Sequence, residues 1–182
     1  TGATIAMGGI YSVTVTSASG CTTALSTTVT VNSLPVASIT GATSVCAGNT
    51  INLTANGGVS YQWSGPNGFT SIQQNIVRTD ATAPMGGMYT VTVTNSGGCT
   101  ATTNINVTVN PVPTATVGNN GPVCIGSTIN LSASGGVTYS WIGPNGYSSS
   151  AQNPVRTGAT LLMAGKYLVA VANSSGCTAS SY

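Results

Sequence analysis

Five cysteines are the side chains of this sequence best suited to covalent chemistry, and their spacing is regular. Cys21, Cys99 and Cys177 recur every 78 residues, and Cys46 and Cys124 are separated by the same interval. Thiols in fixed phase point to disulfides and hence to an oxidising, extracellular compartment. Outside them the chemical vocabulary is thin. Only Arg78, Arg156, Lys166 and Asp80 carry formal charge, and there is no histidine. A serine or cysteine nucleophile needs a neighbouring base, and none recurs here, so an enzyme is not expected and no catalytic residue is assigned. Calcium takes six to eight oxygen ligands rich in carboxylate, against one carboxylate side chain in this sequence. No metal ligand and no cofactor-binding residue is therefore named. Lys–Asn isopeptide cross-links fail on the same count, because Lys166 is matched by Met88 and Ile10 in the other phases.

Charged residues make up 2% of the chain, where soluble domains carry about a quarter. The net charge of +2 rests on so few groups that no basic stripe exists to neutralise phosphates, which argues against nucleic acid. No apolar run of about 18 residues is present, so membrane insertion is not expected in this window. Polar surface must come from Thr, Ser, Asn and Gly, and so uncharged a skin lowers the cost of lateral contact between copies.

The 78-residue interval also relates Trp63 to Trp141, Arg78 to Arg156, and Tyr11 to Tyr89 and Tyr167. Residues 33–104 align with 111–182 without a gap and with about half the positions identical, a period the size of one small β-domain. Residue 1 is in phase with Thr79 and Thr157, and residue 182 with Asn104. The chain therefore reads as a window on a longer array.

Within one period every apolar pattern has a spacing of two. Tyr89, Val91 and Val93 alternate with Thr90, Thr92 and Thr94, the signature of a half-buried strand. An Asn-Ser-Gly-Gly turn leads to Cys99–Val109, completing a long hairpin. Upstream, Ile51, Leu53 and Ala55 form another alternating run, and Val59, Tyr61 and Trp63 a fourth; residues 35–40 and 74–79 supply shorter strands. No stretch offers a helical stripe. Six to eight strands per period predict an all-β fold, a sandwich of two antiparallel sheets.

GGMYTVTV, with GGIYSVTV and AGKYLVAV in the other phases, resembles the immunoglobulin-like motif at the start of strand F. The resemblance would make Tyr89 and Tyr167 tyrosine-corner residues and Trp63 and Trp141 the core tryptophans of strand C, and Tyr11 is counted with them as a core residue. The fuller pattern, SVCAGNTINLTANGGVSYQWSGPNG followed by YTVTVTNSGGCTATTNINVTVN, is similar to Ig-like repeats of very large secreted surface proteins of Bacteroidota, including adhesins of gliding bacteria. The implied organisation is the C-terminal part of an Ig-like repeat in residues 1–32, a complete repeat in 33–110, and a repeat lacking most of its last strand in 111–182. Together they form tandem sandwiches in an elongated rod. Where antibody domains place their inter-sheet cysteines this chain has Leu53 and Val91, so apolar packing should replace that bond.

Two pairings of the cysteines stay open. One is a bridge within each repeat, Cys46–Cys99 and Cys124–Cys177. The other joins consecutive repeats, Cys46 to Cys177, with Cys21 paired outside the chain. In an Ig-like sandwich Cys46 and Cys99 lie at opposite ends, roughly 20 Å apart and beyond the ~7 Å reach of a bridge, which tips the balance toward Cys46–Cys177. Arg78 and Arg156 are expected to pack their stems and hold backbone carbonyls. Trp63, Tyr61 and Phe69 around Gly65-Pro66-Asn67-Gly68 could stack on sugars, but strand parity turns Trp63 and Tyr61 toward the core.

These readings converge on a non-catalytic structural stalk of a large extracellular, surface-attached adhesin or filament, stiffened by disulfides and by the Pro111-Val112-Pro113 linker. Its expected partners are neighbouring repeats and, laterally, copies of itself; a glycan or cell-surface ligand would be met by domains outside this window. The alternatives are carbohydrate-binding accessory repeats of a secreted glycan-degrading enzyme, or a self-assembling fibre protein.

Overall fold

The computed structural model describes residues 2–182, and among them strands carry nearly all the regular structure. An opening hairpin consists of β1 (Gly9–Thr16) and β2 (Thr22–Val29). The second repeat contributes β3 (Ser38–Gly41), β4 (Ser44–Cys46), β5 (Ile51–Asn56), β6 (Ser60–Gly65), β7 (Phe69–Ser71), β8 (Asn75–Arg78), β9 (Gly87–Thr94) and β10 (Thr100–Asn110). The third contributes β11 (Thr116–Asn119), β12 (Ile129–Ser134), β13 (Thr138–Gly143), β14 (Tyr147–Ser149), β15 (Val155–Arg156), β16 (Leu168–Ala172) and β17 (Thr178–Ser181). A single 3₁₀ turn precedes each repeated tyrosine, at Ile5–Met7, Ala83–Met85 and Leu161–Met163.

The second repeat forms two sheets, in the orders β3-β5-β8 and β4-β10-β9-β6-β7. The third shows β11-β12-β15 and β14-β13-β16-β17. A sheet with β5 between β3 and β8, against one in which β9 lies between β10 and β6, is the immunoglobulin-like arrangement, so the fold class is an all-β Ig-like sandwich. Alternation makes it: along β9 the buried side chains are Tyr89, Val91 and Val93, and the threonines between them face outward.

By compactness the chain divides into two units whose boundaries interleave. The first comprises Thr1–Ala42, Asn52–Val77 and Gly87–Asn106. Its buried residues include Leu53, Ala55, Trp63, Ile76, Tyr89, Val91 and Val93. The Trp63 indole N–H donates to the Gln73 carbonyl at 2.8 Å, so burial leaves no polar atom stranded. Val59, which alternation placed in strand phase with Tyr61 and Trp63, lies in the turn before β6 and is exposed. It stands one residue beyond the last β6–β9 pair, Ser60 with Thr94, where the sheet has ended. Glycine is required beside it, because a Cβ on Gly58 would strike the carbonyl of Thr94.

Tyr11 also departs from the core role expected of it, and is 55% exposed. The β1–β2 hairpin is a two-stranded sheet, and among the described residues nothing covers the face that Tyr11, Val13 and Val15 share. The tyrosine-corner bond survives there all the same: the Tyr11 hydroxyl donates to Met7 O at 2.8 Å. That bond is local in sequence and does not require a core.

The second unit comprises Thr43–Ile51, Arg78–Gly86 and Val107–Tyr182. Leu131, Ala133, Trp141, Val169 and Val171 form its principal core cluster, with Tyr139, Tyr147 and Tyr167 packed at the edge. Leu131 on β12 and Val169 on β16 align with Leu53 and Val91, come from different sheets and meet in that one cluster. Apolar packing thus occupies the centre of this sandwich. The Trp141 indole N–H donates to Ala151 O at 3.0 Å, repeating the bond of Trp63.

Candidate functional site

The chemistry in the second unit gathers where the third repeat joins the chain before it. Strand β4 runs parallel to the end of β10, placing Thr108 beside Ser44, Val109 beside Val45 and Asn110 beside Cys46. Backbone bonds fix the register: Thr108 N–H donates to Thr43 O and Ala47 N–H to Asn110 O, each at 2.8 Å. The Asn110 side-chain amide adds a bond to Ser44 Oγ at 2.7 Å.

The partner sulfur arrives on the turn between β16 and β17. Asn173 organises this turn, its Oδ1 accepting from the N–H groups of Ser175 and Cys177, both at 3.0 Å. Gly176 takes φ of +79°, which glycine adopts without steric cost. The other end of the Asn173 amide donates to Pro111 O at 2.8 Å, tying the turn to the linker. Cys177 is thereby held against β4 and is bonded to Cys46, with 5.6 Å between Cα atoms and 131 residues between them in sequence. At 1% exposure, Cys177 is sealed from solvent.

The pairing within repeats is not formed. Cys46 is committed to Cys177, and Cys99, Cys124 and Cys21 carry free thiols. Cys99 nevertheless sits in the same local frame as Cys177. Asn95 Oδ1 accepts from Gly97 and Cys99 N–H, its amide donates to Ser33 O at 2.7 Å, and Cys99 Sγ lies 3.6 Å from Asn32 O. Asn32 aligns with Asn110, so the turn and linker are alike; no cysteine stands across from this one.

Arg156 forms the second cluster. Its Nη1 donates to the Tyr167 hydroxyl at 2.7 Å and to Pro144 O at 3.3 Å. Its guanidinium carbon lies 4.5 Å from the centre of the Tyr147 ring, and the two tyrosines meet edge-on at 5.6 Å. The Tyr167 hydroxyl in turn donates to Met163 O at 2.9 Å. Backbone carbonyls were expected for this arginine, and one is found; the aromatic partners were not read from the sequence, because Tyr147 and Tyr167 lie 20 residues apart. Arg78 is half-buried at the matching position. Asp80 holds φ of +51° where the third repeat has Gly158 at +66°, a turn position of no repeated charge.

Both tryptophans are buried to 1% exposure, so neither offers a face for a sugar ring. Among the described residues no three His, Cys, Asp or Glu side chains gather to hold a metal ion. No described helix is long and apolar enough to cross a membrane.

No family model matches the chain, and no curated protein matches it in sequence. Solved structures do. The amphioxus IgVJ-C2 molecule is similar at 18% identity with a TM-score of 0.36, covering 76% of this chain and 96% of that one. Murine CEACAM1b is similar at 13% identity and a TM-score of 0.42, with 81% and 96% covered. A 1.5-MDa bacterial ice-binding adhesin is similar at 17% identity and a TM-score of 0.42, with 94% of this chain and 70% of that one covered.

Proposed function

We propose that this chain is a structural repeat region, the stalk of a large extracellular adhesin or surface filament, related to the repeats of Bacteroidota surface proteins and without catalysis of its own. In this reading residues 33–110 are one complete repeat, 1–32 the end of another and 111–182 most of a third. The observation that carries it is the Cys46–Cys177 bond, which ties β4 of one repeat to the last turn of the next. A bond in that place limits extension of the linker under load, which is a mechanical role. The near absence of charge and of histidine supports it by withholding acid–base chemistry. Burial of both tryptophans weakens the carbohydrate-binding alternative, since its aromatic platform would need outward-facing rings.

Single-molecule pulling on the chain from its two ends tests the reading. With the bond intact, the 131 residues between the sulfurs are shielded, and the fully extended chain should be shorter by about 450 Å than after reduction. Equal contour lengths with and without reductant would remove the mechanical staple and the stalk reading with it.

A further inference from the structure

Three turns of this chain carry a cysteine four residues after a polar side chain: Ser17 before Cys21, Asn95 before Cys99 and Asn173 before Cys177. Each closes on the same two backbone bonds, from the N–H of the polar residue to the cysteine carbonyl and from the glycine N–H back to the polar residue's carbonyl, at 2.8 to 3.0 Å. In each the polar side chain accepts from the cysteine N–H, Ser17 Oγ at 3.1 Å and the Oδ1 atoms of Asn95 and Asn173 at 3.0 Å. Serine therefore suffices for the turn. What the asparagine adds is a donating end, and at Asn173 that end reaches Pro111 O at 2.8 Å. Pro111 follows Asn110, which stands beside Cys46 in the parallel β4–β10 pair and accepts from the Ala47 N–H. Peptide bonds and hydrogen bonds alone thus carry an unbroken path from Cys46 through Ala47, Asn110, Pro111 and Asn173 to Cys177. The Asn95 amide makes the same reach, to Ser33 O at 2.7 Å, in a turn whose cysteine keeps a free thiol.

We propose that Asn173 is the positioning residue for oxidation of Cys46 and Cys177: by clamping the cysteine turn to the linker it brings the two thiols together before any bond joins them, selects this pair among five cysteines and makes the finished bond resistant to reduction. The oxidant is a small-molecule disulfide. The Cys46 thiolate attacks one of its sulfurs and expels a small thiolate, which leaves a mixed disulfide on Cys46. The Cys177 thiolate then attacks the Cys46 sulfur and expels the second, so that two electrons and two protons leave the protein and the oxidant departs as two thiols. Cys46 is half-buried and Cys177 is 1% exposed in the bonded form, so an external thiol reaches the bond at Cys46, and the reverse path places the mixed disulfide on the same residue. The clamp acts on the second step, where it raises the effective concentration of one thiol at the other. This inference rests on the bond that carries the stalk reading, and not on the use of that bond under load.

The test is the equilibrium of the full chain with mixtures of reduced and oxidised glutathione, read without load in a background carrying Cys21→Ser, Cys99→Ser and Cys124→Ser. Asn173→Ala and Asn173→Ser should each lower the equilibrium constant for the Cys46–Cys177 bond by about tenfold, the serine keeping the turn as Ser17 does. Asn95→Ala, which removes the matching amide from the other turn, should leave the constant unchanged. In the five-cysteine chain refolded from its reduced state, peptide mapping should find Cys46–Cys177 as the main pair with Asn173 present and a mixture of pairs with Asn173→Ser. The proposal is overturned if Asn173→Ser keeps the parent constant, because the turn alone would then position the thiol, or if Asn95→Ala lowers the constant as far, because the effect would then be one of general stability. Pulling experiments bear on the stalk and leave these constants untouched, so the two readings fail separately.

Discussion

The second and third repeats share their sequence pattern but differ in how completely they are closed. Ile51 and Leu53 are buried to 0% and 1% exposure in the second, whereas Ile129 is only half-buried and Leu131 retains 6%. Tyr89 is fully buried; Tyr167 is not. Strand β9 runs for eight residues and β16 for five. A strand edge that pairs over fewer residues leaves less apolar cover over the core beneath it, and the third repeat accordingly packs less tightly than the second.

The largest expected effect probes what the two repeats have in common. Trp63→Ala should destabilise the second repeat by about 3–5 kcal/mol, the usual range for a large aromatic deleted from a core. Trp141→Ala should fall at the low end of that range, since Ile129 and Leu131 are less completely buried than their counterparts Ile51 and Leu53. Chemical denaturation followed by the remaining tryptophan and by far-ultraviolet dichroism measures both, and equal losses in the two repeats would contradict the contrast in closure.

A smaller contrast lies in the leucines. Leu53→Ala and Leu131→Ala remove the same atoms, and such changes cost about 2–5 kcal/mol depending on how far the surroundings collapse. Leu53 should sit in the upper half of that span and Leu131 in the lower. A larger loss at Leu131 would contradict the looser packing of the third repeat.

The smallest effect sharpens the comparison with the opening hairpin. Tyr167→Phe removes a hydroxyl that serves both Met163 O and Arg156, and should cost about 1–2 kcal/mol. Tyr11→Phe removes only an exposed local bond and should change the midpoint by less than about 0.5 kcal/mol. Equal losses at the two positions would show that the corner bond acts without regard to its core.

Much of this architecture is legible from the residues alone. Alternation in MYTVTVT assigns Tyr89, Val91 and Val93 to the buried face, and the same rule buries Trp63. It fails at Val59 because parity does not say where a strand ends, and at Tyr11 because parity states which face a side chain takes but not whether another sheet covers that face. The turn at Asn95 and Asn173 was visible as punctuation, yet the reach of each amide to the linker, at Ser33 O and Pro111 O, was not. Those bonds join residues about 62 positions apart, beyond the range of any local pattern.

By itself the amino-acid sequence determined the repeat, the strand phases and the glycine turns, because the last two follow from nearest-neighbour sterics and the two-residue period of a strand. Only the tertiary structure decided that β4 runs parallel to β10, that Cys46 therefore meets Cys177 rather than Cys99, and that Arg156 lies over Tyr147. These depend on which distant segments share an edge, a choice made by cumulative packing and chain closure, to which no short stretch of sequence is sensitive.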